Sequence, residues 1–585
     1  MGRTFLTLCL LATVACNAPA QPVSAEAMPL SEIKAGQRGE VWTVFEGTKP
    51  EPFAVEVSGV ILNALGPGKS IILCKMTDPR VQNMGAVAGM SGSPLYIDGK
   101  FAGALSYQIQ RFETVRFAGF TPAADMAEVG DRVIPTVSPL QAQGEPQASA
   151  DPGAQSPSFQ AMKPVFALGG VSPRTAEIMT PQFASLGLGV VALGGNSQGS
   201  SQAPAAGTAT LEPGDSVSVA LTTGDISLAG TGTVSRVDGN RIVAFGHPMM
   251  SLGDVQFPMC SADVVAILPS TLESFKVANV GPVIGTITQD RLSAISGLLG
   301  PGPEMTDVQV TEEQKGAAPR TLHFQVIRDI HVAPMIMMTG VVEAVFGSND
   351  NQPAEGFRIL STVNFSATQQ VTREAVYAGE QGFQNGMFEF LVGLTADLQN
   401  PFEKTQPKSV QFKIEPLEDN PAVTVEQFQV SRTSVHAGDT FQVTLGWRNY
   451  QGSEESTTVD VPVDAAWTGK TLEVIVAPGR LLDELTGHSH TFRVGQLRSF
   501  DAYLEAMRSS RPEDGLCIAV VEKSALFFDQ AVSTPEAPAS IERIAGDADS
   551  ARYQKRDALV PLWETRVLQG KVSFTEFHRT VRVVE

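Results

Sequence analysis

Gly89-Met90-Ser91-Gly92-Ser93-Pro94-Leu95-Tyr96-Ile97-Asp98-Gly99-Lys100-Phe101-Ala102-Gly103-Ala104-Leu105-Ser106-Tyr107 decides how this chain is read. A glycine two residues before a serine lets the backbone turn sharply, and the N–H groups of Gly89 and Ser91 can then point into one oxyanion-binding hollow. Gly92 leaves room for a close approach, and Pro94 ends the turn and opens a strand. Asp98-Gly99 is a two-residue hairpin signal between apolar runs, so the serine loop is mounted on a β-hairpin. Without its flanks, Gly-x-Ser-Gly is an ordinary Gly/Ser-rich surface turn. The hairpin that follows makes Ser91 the candidate nucleophile, ahead of Ser93, whose backbone is committed to the turn before Pro94.

A serine hydroxyl needs a neighbouring base, and the base needs an orienting group. Working outward, Gly230-Thr231-Gly232-Thr233-Val234 reads as one strand and Arg241-Ile242-Val243-Ala244 as its partner, followed by Phe245-Gly246-His247-Pro248. A histidine beside glycine at a strand end is placed for chemistry rather than packing, which makes His247 the candidate base. Two carboxylates compete for the orienting role. Asp78, in Met76-Thr77-Asp78-Pro79, also suits an Asx turn before proline, and Asp254 lies in the loop region after His247. Spacing does not decide between them.

The string Gly89–Tyr107 resembles the nucleophile loop and following hairpin of chymotrypsin-like peptidases. It resembles more closely the sporulation stage IV B (SpoIVB) serine peptidase family, whose loop reads Gly-Met-Ser-Gly-Ser-Pro. That family also carries Thr-Asp-Pro, a Gly-Thr-x-Thr strand, Ala-x-Gly-His and a Gly-Thr-Ile strand. Here these read Thr77-Asp78-Pro79, Gly232-Thr233-Val234, Ala244-Phe245-Gly246-His247 and Gly285-Thr286-Ile287. The resemblance implies a double β-barrel with Ser91 as nucleophile, His247 as general base and Asp78 as the acid, and it implies no metal or cofactor. It covers roughly 35–110 and 210–300. The serine half comes first here, whereas the family places its histidine half first. Pro248 stands where the family has glycine, and its peptide-binding PDZ module has no counterpart here.

Bulk properties set the compartment and exclude several functions. Arg3 followed by the apolar Phe5–Ala15 and by Ala18-Pro19-Ala20 reads as a signal peptide with its cleavage site, Ala25-Glu26-Ala27 being a second site. The expectation is export, to a periplasm or the medium; lipidation at Cys16 is the competing reading, weakened by Thr13 where a large aliphatic residue is needed. No other run approaches the roughly 20 apolar residues of a membrane helix. A net charge of −20 argues against nucleic acid or an anionic membrane as partner. Cys74, Cys260 and Cys517 form no disulfide framework, and buried free thiols are expected, with one Cys74–Cys260 bridge as the alternative. His488-Ser489-His490 lacks a third metal ligand.

At 585 residues, with 54 Gly and 38 Pro, the chain suits many short strands in several domains. The expected layout is a signal peptide over 1–20, a serine-bearing barrel half over 28–137, a linker rich in Pro, Gln, Ser, Ala and Gly over 138–162, and a histidine-bearing half over 163–345. An α+β extension over 346–415 follows, with a helix near Met387 to Leu398 whose apolar face holds Phe388, Leu391, Val392 and Leu398. An immunoglobulin-like β-sandwich over 421–495 and a small α+β region over 496–585 complete it, the latter opening with a helix capped by Ser499. The fold class expected is mostly β: a circularly rearranged chymotrypsin-like double barrel plus these additions. The function expected is an exported serine endopeptidase acting on a protein or peptide, with a partner protein at the C-terminal sandwich. The alternative is a non-catalytic envelope scaffold on the same fold; a carbohydrate binder is disfavoured by four Trp and six Tyr in the whole chain.

Overall fold

A computed structural model describes residues 25–109, 117–132, 159–192, 210–268, 274–347 (save 315 and 317), 354–398, 406–487, 499–529 and 554–585, with short pieces at 532–535, 540 and 543. The expected signal peptide, Cys16, residues 138–158 of the expected linker, residues 196–207 and the His488/His490 pair lie outside the described residues.

The serine-bearing unit follows from alternation and turns. Strands β1 (Arg38–Val44), β2 (Pro50–Ile61), β3 (Ile71–Met76), β4 (Pro94–Ile97), β5 (Lys100–Ile109) and β6 (Phe117–Pro122) pair antiparallel in the order β4-β1-β2-β3-β6-β5, and β4 also pairs with β5, which closes the ring. Phe53, Val55 and Val57 of β2 point inward while their neighbours face out, as period-2 patterning requires. Asp98 and Gly99 both take positive φ, 51° and 76°, so Ile97 faces Lys100 across a two-residue turn. Two short helices, α1 (Pro79–Met84) and α2 (Ala123–Gly130), lie outside the ring. The last residues of the expected linker are ordered: β7 (Phe159–Ala161) adds to β5.

The histidine-bearing unit opens with β8 (Phe166–Gly169), α3 (Pro173–Ser185) and β9 (Val190–Ala192). It continues with β10 (Ser216–Gly224), β11 (Ser227–Asp238), β12 (Arg241–Ala244), β13 (Gly253–Leu268), β14 (Phe275–Arg291) and β15 (Ala294–Leu299). The order β10-β13-β14-β15-β12-β11 is antiparallel, and a β10–β11 pairing closes it as well. Asp238 faces Arg241 around the Gly239-Asn240 turn, as the sequence indicates. The two rings meet over a shared apolar cluster in which Trp42, Tyr96, Phe101, Met126 and Val129 touch Val243 and Ala294.

From β10 the second sheet runs on through Arg320–Val326, Thr306–Glu312, Ser409–Leu417, Gly356–Asn364 and Gln370–Ala378. Two helices cover it. Ala333–Phe346 is buried on every side, and Gly379–Leu398 buries Phe383, Phe390, Leu394 and Leu398. The second helix is longer than expected and turned on its axis, for Phe388 is 74% exposed and Val392 39%. Packing against Tyr377 and Phe412 selects the ring faces of Phe383 and Phe390 instead.

The C-terminal strands form two sheets over one core. Phe441, Val443, Leu445 and Trp447 alternate inward as expected and pack with Val474, Val476, Ile518, Val520 and Val581. The chain after 496 contributes to this module: Leu516–Asp529 and Phe577–Val584 both flank Thr471–Ala477. Helix Phe500–Arg508 is capped by Ser499, whose Oγ accepts from Ala502 N at 3.1 Å, and it joins the large core of the second sheet.

Candidate active site

The serine loop is held by its glycines and by the other ring. Gly89 and Gly92 take φ of +95° and +94°, a region that side chains resist. A Cβ on Gly92 would come within 2.0 Å of Thr233 O and 2.5 Å of Phe245 N, so the rings close on this residue. Thr233 N donates to Ser91 O at 2.8 Å, Thr233 Oγ1 to Gly89 O at 3.0 Å, and Ser235 Oγ to Gly92 O at 2.7 Å. The Gly-Thr-Val strand noted in the sequence is thus the clamp on the serine loop. Ser93 Oγ is spent on Met90 O at 2.6 Å. Ser91 Oγ is fully buried and has no hydrogen-bond partner. Among the described residues the N–H groups of Gly89 and Ser91 are also unbonded.

His247 arrives from the opposite ring. After β12 the chain passes through Phe245 and Gly246, both at φ +69°, a left-handed pair that is strained at the phenylalanine. Gly246 is the second close approach: its O accepts from Thr121 Oγ1 at 2.6 Å, and Ser106 Oγ fills the space where its Cβ would stand. Phe245 N donates to Thr233 O at 3.2 Å, which ties the histidine turn to the same clamp. The His247 ring is wholly buried. Its Nδ1 meets Pro248 O at 2.7 Å, while Nε2 has no partner. A carbonyl accepts only, so Nδ1 carries the proton and Nε2 presents its lone pair. Burial pulls the ring down to about 4, against the Pro248 carbonyl bond that favours the charged form.

Sequence reasoning missed Asp290. This buried carboxylate accepts from Met249 N at 2.7 Å, Met250 N at 2.8 Å and Leu252 N at 3.2 Å, and so shapes the turn that follows His247. Burial pushes it above the usual carboxylate range, against those same amides. It stands between Gln289 and Arg291, 43 residues past the histidine, where no local pattern marks it.

Neither sequence-selected acid stands at the imidazole. Asp78 caps α1: its Oδ1 accepts from Arg80 N at 2.9 Å and its Oδ2 from Arg80 Nη2 at 3.1 Å. Burial would raise it, but the Arg80 bonds and charge win and hold it below its ordinary value. Asp254 pairs with Arg291. The ring's hydrogen-bond partner is the backbone carbonyl of Pro248, so the residue that departs from the family's pattern supplies the group that sets the tautomer.

A second group was also invisible in the sequence. Lys276 is buried beneath the serine loop, with its Cβ 2.9 Å from where a Cβ on Gly89 would lie, and its N donates to Ala88 O at 2.9 Å. Nζ donates to Thr43 Oγ1 at 2.8 Å, and no carboxylate among the described residues pairs with it. Burial draws the amine down to about 7. Cys74, Cys260 and Cys517 are free and buried, the first two pushed up to about 12 by desolvation. Among the described residues no cluster of metal-ligating side chains forms and no helix is long and apolar enough to cross a membrane.

Residues 13–113 match the SpoIVB peptidase S55 family model. The S55 match takes in Asp78, the Ser91 loop and its hairpin, and ends before β6. His247, Thr233 and Asp290 fall outside the S55 match, so their association with Ser91 rests on the geometry alone. No curated protein and no solved structure matches the chain.

Proposed function

We propose that the chain is an exported serine endopeptidase working through Ser91 and His247. One observation carries this reading: two buried polar atoms, Ser91 Oγ and His247 Nε2, are left without partners on two loops that the Thr233 clamp binds together. Buried polar atoms are normally satisfied, and a catalytic role is one of the explanations for an exception. Ser91 Oγ would attack a peptide carbonyl as Nε2 takes its proton. The N–H groups of Gly89 and Ser91 would hold the oxyanion, and Nε2 would return the proton to the leaving amine. Pro248 O, rather than a carboxylate, would keep Nδ1 protonated; Asp78 is read as a helix cap and Asp290 as the residue positioning the His247 turn. The S55 match supports the peptidase class, and the order of the two rings supports a circular rearrangement of a chymotrypsin-like pair. The test is hydrolysis of a denatured protein by the purified full chain, read as new amino termini. The reading requires hydrolysis that is lost in Ser91→Ala. Folded protein that never cuts, or a Ser91→Ala chain that still does, leaves the non-catalytic scaffold.

A further inference from the structure

One edge of β5 is shared by three partners in succession. β4 takes the first part, with Pro94 facing Ala104. The serine loop takes the next position: Leu105 N donates to Ser93 O at 3.0 Å and Gly92 N to Leu105 O at 2.7 Å. Immediately beyond it comes the chain's own segment 159–162. Met162 N donates to Ser106 O at 2.9 Å, and Ala161, Gln160 and Phe159 face Tyr107, Gln108 and Ile109 in antiparallel register. An exposed strand edge is a template for an added extended peptide, with backbone bonds giving affinity and alternate side chains giving choice.

The occupant's details fit a seated peptide. Met162 is 1% exposed and packs in the core of the serine-bearing ring, whereas Gln160 faces solvent. Met162 pairs with Ser106, whose Oγ abuts Gly246, the residue before His247, so this residue's main chain lies next to the turn that presents the candidate base. Lys163 is exposed, and its N donates to Ala161 O at 2.8 Å, which turns the chain off the edge directly after Met162. Ser91 and His247 are both fully buried with this strand in place.

We propose that Phe159–Met162 is an intramolecular peptide seated where substrates bind. Substrates of this site are then extended chains that add to the Ser106–Ile109 edge with an unbranched apolar side chain at Met162's position, and they must displace the chain's own strand first. This rests on the peptidase reading for what happens after binding, but the binding itself does not.

The test is made in the full chain carrying Ser91→Ala, where nothing can be cleaved. Fluorescein-labelled Phe-Gln-Ala-Met amide is titrated and its anisotropy followed, with Phe-Gln-Ala-Asp amide as control. Gln160→Pro, which a strand ladder does not accommodate, and Met162→Asp, which puts a carboxylate in a dry hollow, each free the edge. Both variants should bind the apolar probe about tenfold more tightly than the parent, since the parent's edge is mostly occupied, and the control should bind neither. Equal binding by freed and parent chains, or equal binding of the control, overturns the proposal. If a variant unfolds, the parent answers alone. Excess apolar probe must speed amide exchange at Met162 by about tenfold as its strand is displaced, and unchanged protection overturns the proposal. Failure of Ser91 chemistry would leave these binding results as they are, so the two readings fail separately.

Discussion

Ser91 Oγ and His247 Nε2 each give up a hydrogen bond inside the protein, a loss worth about 1–3 kcal/mol per group. In the proposed mechanism the neutral ring is the base, and burial lowers it to about 4, so kcat/KM for peptide hydrolysis should rise with pH through about 4 and stay level through 6.5. A pH–rate profile that rises near 6.5 instead would place the active ring in water. His247→Asn should reduce the rate by about 10²–10⁴. Asp78→Ala should cost about 1 kcal/mol of stability as a lost cap and leave the hydrolysis rate unchanged; denaturant midpoints and rates measured on one preparation separate the cap from an acid, which would cut the rate steeply. The turns that carry Ser91 and His247 were legible because positive φ demands the glycines in them. Asp290 and Lys276 were not, since a lone acid or lysine in a strand carries no local pattern, and only the fold shows that one orders the His247 turn and the other lies under Gly89.

Between residue and molecule, turns and strand edges set the behaviour. Gly92→Ala should cost at least about 1–3 kcal/mol from positive φ alone, with more from the approach to Thr233 O, and thermal unfolding should report the loss. Lys276 belongs to this scale because it joins β14 to β1 and the serine loop. Its folded value of about 7 lies below the ordinary 10.5. As pH falls below 10.5 the unfolded chain gains a proton that the folded chain refuses until about 7, so this group's contribution is full above 10.5 and declines steadily down to about 7. Lys276→Met should remove that decline; urea midpoints between pH 7 and 10 that fall in parallel for both proteins would contradict it. The Asp98-Gly99 and Gly239-Asn240 hairpins were readable from dipeptides with positive φ. Strand β7 was not, because three residues at the end of a Pro- and Ser-rich stretch show no alternation, and β5's free edge is what orders them. The long β13 and β14 were hidden by Pro258, which faces Thr286 in register, and by Gly281 and Pro282, which the structure absorbs in an irregular pairing.

Across the whole molecule, two six-stranded rings carry the two halves of the site, and the Thr233 clamp and the Trp42–Val243 cluster hold them face to face. The β content could be read from the residues, whereas the meeting of the two halves was expected only through the family resemblance, because a clamp built of backbone groups and hydroxyls has no pattern of its own. The central claim is that Ser91 is a nucleophile activated by His247. The most direct measurement is labelling by a serine-reactive phosphonate, mapped by mass spectrometry, on the full chain carrying Gln160→Pro so that access does not limit the result. The account predicts one adduct, on Ser91, absent in Ser91→Ala and slowed at least about 10²-fold by His247→Asn. Folded protein that takes no label, or label that survives Ser91→Ala, would contradict it.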